Sequence, residues 1–252
     1  MGALHAGHIA LVKAARERCD RVVASVFVNP LQFNDKQDLI HYPRRPEEDG
    51  RMLQDAGCDM LFMPKAEDLF SGFSPHEYDL NGLDRVMEGA SRPGHFQGVV
   101  NVVERLFHYV RPDMAFFGEK DRQQLAVINH VATARHWPVR IIPHPIVRAE
   151  DGLALSSRNQ RLSPEQRQLA PLLFQALQAV RSAAFRRSVD DARQAGLRVL
   201  AGAGEVQLDY LTIARPENLQ PLATWEGVDK AVAFIAAQVG PVRLIDNMEL
   251  GR

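Results

Sequence analysis

Up to about residue 145, short β-branched runs alternate with stretches in which apolar residues return every three or four positions. That rhythm is the pattern of strands alternating with helices around a parallel α/β sheet. Ile9, Val12 and Ala15 lay down the first helical stripe, and 22–28 is the first strand, ended by Asn29-Pro30. The spacing predicts a helix over 46–56, opened by Pro46 and stopped by Gly57, and then a strand at 60–63. A helix over 99–109 feeds a strand at 114–117 that ends at Gly118, and a helix near 123–135 leads to a strand at 139–142. Residues 64–81 are mixed in character, with Gly, Pro and Ser throughout, and read as a long surface loop, a candidate lid over a site.

Past Arg158 the rhythm changes. Ser163-Pro164-Glu165 is a helix start, with Ser as N-cap and Pro at the first helical position. One helix is predicted from there to about residue 186, and Ser188 with Asp191 opens another in capping-box fashion. Strands at 206–213, 231–239 and 242–245 follow, the last two joined by a Gly240-Pro241 turn, which makes a small antiparallel sheet. The fold class is therefore α/β: a Rossmann-like, doubly wound parallel sheet domain over 1–160, and a small C-terminal α+β domain over 161–252. Ligands are expected outside the carboxyl ends of the parallel strands.

Composition narrows the class without naming it. Hydrophobic residues make up 46% and charged residues 24% of 252 residues, an ordinary globular balance, and the net charge of −1 comes with no basic block. Nucleic acid and anionic membrane are thereby disfavoured as partners. No apolar run approaches the roughly 20 residues that span a bilayer, and the N-terminus lacks a signal-peptide pattern. Cys19 and Cys58 show no metal-ligand spacing and read as buried, reduced thiols. The expectation is a soluble, cytoplasmic protein.

Three motifs carry chemistry. Met1-Gly2-Ala3-Leu4-His5-Ala6-Gly7-His8 enters the first helix, placing His5 and His8 on one face of the end that favours anions. The pair serves ATP phosphates or is simply two surface histidines. Gly118-Glu119-Lys120-Asp121 directly follows a strand; Gly118 permits a tight turn and Lys120 is a point charge that can reach a phosphate. Lys120 could equally be a solvated turn lysine, and Asp121 either holds a ribose or caps the next helix. Leu155-Ser156-Ser157-Arg158 offers two hydroxyls and a guanidinium to phosphates, or is a polar interdomain linker. Two loops, 29–33 with Asn29 and Gln32 and 92–96 with Arg92, each set a polar group beside an aromatic; Gln123 and Gln124 open a helix at a strand end. All suit a small polar acid, or plain packed turns.

In order, MGALHAGH, VNPLQF, RPGHFQGV, GEKD-x-QQL and DGLALSSRN resemble the pantothenate synthetase family across essentially the whole chain. That family belongs to the H-x-G-H nucleotidyltransferases and is related in fold to class I aminoacyl-tRNA synthetases. The resemblance implies a C–N-forming ligase that condenses (R)-pantoate with β-alanine through a pantoyl-adenylate, releasing AMP and pyrophosphate, with Mg²⁺ and as a homodimer. It implies an ATP site of Met1, Gly2, Ala3, Leu4, His5, Ala6, Gly7, His8, Gly118, Glu119, Lys120, Asp121, Val147, Leu155, Ser156, Ser157 and Arg158. Within it His8 is the proton donor, and His5, Lys120, Ser156, Ser157 and Arg158 share the charge. Gln32, Gln124, Asn29 and Arg92 hold the substrates; no metal ligand is assigned. The family has a helix and a first strand before the MGALH motif, so that strand is expected to be absent here; Ala6 and Arg122 replace an acid and an aromatic. The alternatives are another H-x-G-H nucleotidyltransferase and an inactive, ligand-binding paralogue.

Overall fold

The computed structural model describes residues 2–32 and 39–252, so Met1 and Phe33 of the quoted motifs lie outside the described residues. The chain divides into two compact units, Met1–Val147 and Arg148–Arg252. The division falls before residue 160 because the stretch after Val147 is tied to the second unit. Arg148 pairs in an isolated β-bridge with Ala154, and its guanidinium grips Asp246 through two bonds of 2.6 and 2.9 Å.

The first unit runs α1 (Ala6–Arg16), β1 (Val23–Ser25), α2 (Pro46–Asp55), β2 (Met60–Phe62), α3 (Ala66–Leu69), α4 (Met87–Ser91), α5 (His95–Val110), β3 (Met114–Gly118), α6 (Arg122–Ala134) and β4 (Arg140–His144). β1 pairs with β2 and β3 with β4, both parallel. Alternation along these strands explains the layers. Ala24, Leu61 and Phe116 join Leu4, Val12 and Leu53 in one cluster. Their neighbours Phe62 and Phe117 join Val99, Val103 and Ile128 in another. Helices therefore cover both faces of the parallel strands, with α1 and α2 on one side and α5 and α6 on the other.

Two expectations for this unit need correcting. The strand predicted at 22–28 is only three residues long, because Pro30 opens a 3₁₀ turn, Pro30–Gln32, soon after it. The stretch 64–81 is not a loose loop. It contains α3 and is pinned to α5: the Tyr78 hydroxyl donates to Glu104 at 2.6 Å. Asn101 takes the His76 amide and donates to its carbonyl, and Gln97 does the same for Tyr78.

The second unit holds a 3₁₀ turn at Ser157–Arg161, α7 (Pro164–Leu169), α8 (Leu172–Ala183), α9 (Val189–Leu200), and strands β5 (Val206–Ala214), β6 (Lys230–Val239) and β7 (Val242–Gly251) in an antiparallel sheet of order β5-β6-β7. Ser163 caps α7 with a full capping box, and Ser188 caps α9 by accepting the Asp191 amide. The single helix predicted to residue 186 is broken, because Pro171 has no N–H for the helical ladder. β7 continues to Gly251, six residues past the predicted end at 245. Its inward face, with Leu177, Val180, Ile235 and Leu250, builds the second core.

Candidate active site

The loop before α1 delivers the two histidines. His5 is the N-cap, in extended geometry, and His8 lies in the first turn. His5 Nδ1 accepts the Gly7 amide at 3.1 Å, and His8 Nδ1 accepts the His5 amide at 3.3 Å. Each ring thus takes a backbone proton at Nδ1, so a neutral imidazole must carry its own hydrogen on Nε2. The ring centroids lie 4.0 Å apart. Burial, then the Lys120 charge, lowers His5 to about 4 against an opposing pull from Asp121. Burial, then His5 and Lys120, lowers His8 to about 2. The pair is half-buried rather than fully exposed, is neutral near pH 7, and offers N–H donors rather than full charges.

Sequence reasoning missed what holds this loop. Asp49, 1% exposed in the first turn of α2, accepts the Ala3 amide at 3.0 Å and the Leu4 amide at 2.6 Å. Ala3 sits at φ 48°, a strained region for a side chain with a Cβ. In sequence Asp49 is one of three acids opening a helix, where the macrodipole alone would explain it.

At the end of β3, Gly118 has φ −74°, which any residue adopts, so the expected need for glycine in a tight turn does not hold. A Cβ there would meet nothing within 4 Å. Lys120 has only 18% of its side chain exposed and lies 3.6 Å from Asp121, which removes the solvated-lysine reading. Asp121 precedes α6 but makes no side-chain cap bond. Val147 is half-buried beyond β4.

The predicted substrate loops come together. Asn29, 3% exposed, donates to the Gly98 carbonyl at 3.1 Å and to Gln32 Oε1 at 3.4 Å. Arg92 and His95 both reach the Gln32 carbonyl. The contact requires Gly98, since a Cβ there would lie 2.3 Å from the Leu31 carbonyl oxygen. Gln123 is committed elsewhere, donating to Leu83 and Val86 and accepting from Glu88; Gln124 stands half-buried beside it on α6. The Asp121 charge opposes the lowering of both His5 and His95.

In the second unit, Ser156 caps the 3₁₀ turn by accepting the Arg158 amide. Ser157 is 4% exposed and Leu155 half-buried. Asn159 donates to Ala154 at 3.1 Å, closing the segment into a built turn rather than a linker.

Helices on both faces of parallel strands, with a neutral histidine pair at a helix start and a lysine after a strand, define a nucleotide-handling α/β protein. The chain belongs to the pantoate-beta-alanine ligase family, whose model matches residues 1–249. It is 48% identical to a pantothenate synthetase from Thermus thermophilus, over 99% of this chain and 91% of that protein. It is 46% identical to one from Porphyromonas gingivalis, over 99% and 89%. The crystal structure of the Thermus thermophilus protein superposes with a TM-score of 0.96 over 100% of this chain and 91% of that one. The Francisella tularensis pantoate-beta-alanine ligase, crystallised with beta-gamma ATP and beta-alanine, is 32% identical, with a TM-score of 0.80 over 98% and 86%.

Proposed function

We propose that this chain joins pantoate to β-alanine at the expense of ATP, giving pantothenate, AMP and pyrophosphate. The observation that carries the reading is the His5–His8 pair, whose Nδ1 atoms are occupied by backbone amides so that both Nε2–H groups are available as donors. Such preorganised donors stabilise charge that builds on phosphate oxygens in the transition state.

The pantoate carboxylate attacks the α-phosphorus, and the bond to pyrophosphate breaks as the acyl–phosphate bond forms. His8 and His5 donate to the phosphate oxygens, and Lys120 adds a fixed positive charge. Ser156, Ser157 and Arg158 supply two hydroxyls and a guanidinium for the β- and γ-phosphates. Gly2, Ala3, Leu4, Ala6, Gly7, Gly118, Glu119, Asp121 and Val147 of the first unit and Leu155 of the second are assigned to the nucleotide by the same reading. Asn29, Gln32, Arg92 and Gln124 orient the acids. The neutral amine of β-alanine then attacks the acyl carbon; the C–N bond forms, AMP leaves, and the amine loses a proton.

Mg²⁺ would enter with the ATP substrate and would neutralise charge on the leaving pyrophosphate. Among the described residues no group of three His, Cys, Asp or Glu is placed to hold a metal ion. No helix among them is long and apolar enough to cross a membrane. The family resemblance, not that absence, carries the proposal of a cytoplasmic homodimer. Product analysis with ATP, Mg²⁺, pantoate and β-alanine tests the reading. AMP, pyrophosphate and pantothenate should appear together, and each single omission should abolish pantothenate.

A further inference from the structure

His95 is a buried titratable group for which the mechanism above has no use. It is 6% exposed and opens α5, directly after Gly94 at φ 79°. Its Nδ1 lies 2.8 Å from the Gln32 carbonyl oxygen, and its Nε2 lies 3.2 Å from Arg92 Nη1. Arg92 Nη2 donates to that same Gln32 carbonyl at 3.1 Å. The partners force the tautomer. A carbonyl only accepts, so Nδ1 carries the hydrogen; a guanidinium only donates, so Nε2 carries the lone pair. This is the opposite tautomer to that of His5 and His8. Burial, then Arg92, lowers His95 to about 4, against opposing pulls from Glu88 and Asp121. Glu88 lies 3.7 Å from the same Arg92 Nη1 that faces His95.

The result is a closed triangle joining two loops 60 residues apart in sequence. Arg92 and Gln32 are both assigned to substrate, and His95 bonds both members of the pair. The guanidinium also faces Glu88, and the Gln32 carbonyl ends a short 3₁₀ turn. The imidazole is a rigid, two-ended group between them, a donor at one end and an acceptor at the other.

We propose that His95 is a positioning residue for the pantoate subsite, setting the Gln32 backbone and the Arg92 guanidinium in one register. It acts through those two residues and needs no contact with substrate. The inference rests on the pantoate–β-alanine reading of the site.

The test combines ¹⁵N imidazole spectroscopy of the unmodified chain with steady-state kinetics of His95→Ala and His95→Asn. In the unmodified chain His95 should show the Nδ1–H tautomer, while His5 and His8 show Nε2–H. His95→Ala should raise the KM for pantoate about tenfold or more, the scale of one buried hydrogen bond, with a much smaller change in kcat. Asn can place an amide N–H where Nδ1–H stood, so His95→Asn should recover most of that loss. An Nε2–H tautomer at His95 overturns the proposal. So does an unchanged pantoate KM in folded His95→Ala, or His95→Asn no better than His95→Ala in an otherwise active enzyme. The spectroscopic arm stands whether or not His95→Ala folds. An unmodified chain that makes no pantothenate overturns the functional reading and this inference with it, whereas an active chain with normal variants overturns this inference alone.

Discussion

The Asp49 carboxylate accepts the Leu4 amide at 2.6 Å, fastening the first turn of α2 to the loop that carries His5. The same carboxylate takes the Ala3 amide at the residue with positive φ. The direction in which α1 presents its histidines therefore depends on an acid 45 residues away.

Asp49→Asn should disturb both stability and nucleotide use. The amide oxygen can take one of the two N–H groups, leaving the other facing an NH₂. A buried donor left unsatisfied costs roughly 1–3 kcal/mol, measurable as a lowered urea midpoint. The KM for ATP should rise while the pantoate KM stays near its original value. Wild-type stability in Asp49→Ala would contradict the role.

Changing His8, Lys120 or Ser157 to Ala should each lower turnover by roughly 10²–10³-fold, the usual effect of removing one preorganised donor. Rapid-quench measurement of pyrophosphate formation would place the loss in the adenylation step. Near-normal turnover in all three variants would contradict the assignment of the site.

The fold should weaken in mild acid. His5 and His95 titrate near 4 in the folded chain and His8 near 2, whereas an unfolded histidine titrates near about 6.5. The unfolded chain therefore binds more protons below that value, and stability is lost as pH falls from about 6.5 toward 4. Urea midpoints at stepped pH should show the decline, and His95→Gln should flatten it. A midpoint independent of pH across that window would contradict the buried neutral state of these rings.

Arg148 and Asp246 should behave as a buried pair. Asp246 has 3% and Arg148 20% of its side chain exposed, and the guanidinium also bonds the Gly152 and Asn247 carbonyls. Removing one partner leaves the other charge buried, typically costing about 3–5 kcal/mol. Asp246→Ala should approach that loss, and Arg148→Met combined with Asp246→Leu should cost less than the sum of the single changes. Strict additivity in a double-mutant cycle would contradict coupling.

Local signals were the most legible part of the sequence. Ser163 and Ser188 cap the helices they were expected to cap, because capping is settled within four residues. The alternation of strands and helices was visible because each face of β1, β2 and β3 needs its own apolar row. Long-range pairing was not visible. Nothing near Tyr78 announces Glu104, 26 positions on, so the stretch 64–81 read as loose. Asp49 looked like an ordinary helix-opening acid, and His95 lay in a motif whose roles went to its neighbours. The break at Pro171 was readable in principle, but the apolar rhythm on either side is continuous enough to mask it. Gly118 misled in the other direction, since its backbone needs no glycine.

The central claim is that ATP activates the pantoate carboxylate as an adenylate, and oxygen transfer tests it most directly. Pantoate labelled with ¹⁸O in its carboxylate is incubated with ATP, Mg²⁺ and β-alanine, and the products are weighed by mass spectrometry. One labelled oxygen should pass to AMP, because the acyl–oxygen bond to the adenylate breaks when the amine attacks. Label in pyrophosphate or orthophosphate, or unlabelled AMP alongside pantothenate, would contradict an acyl-adenylate.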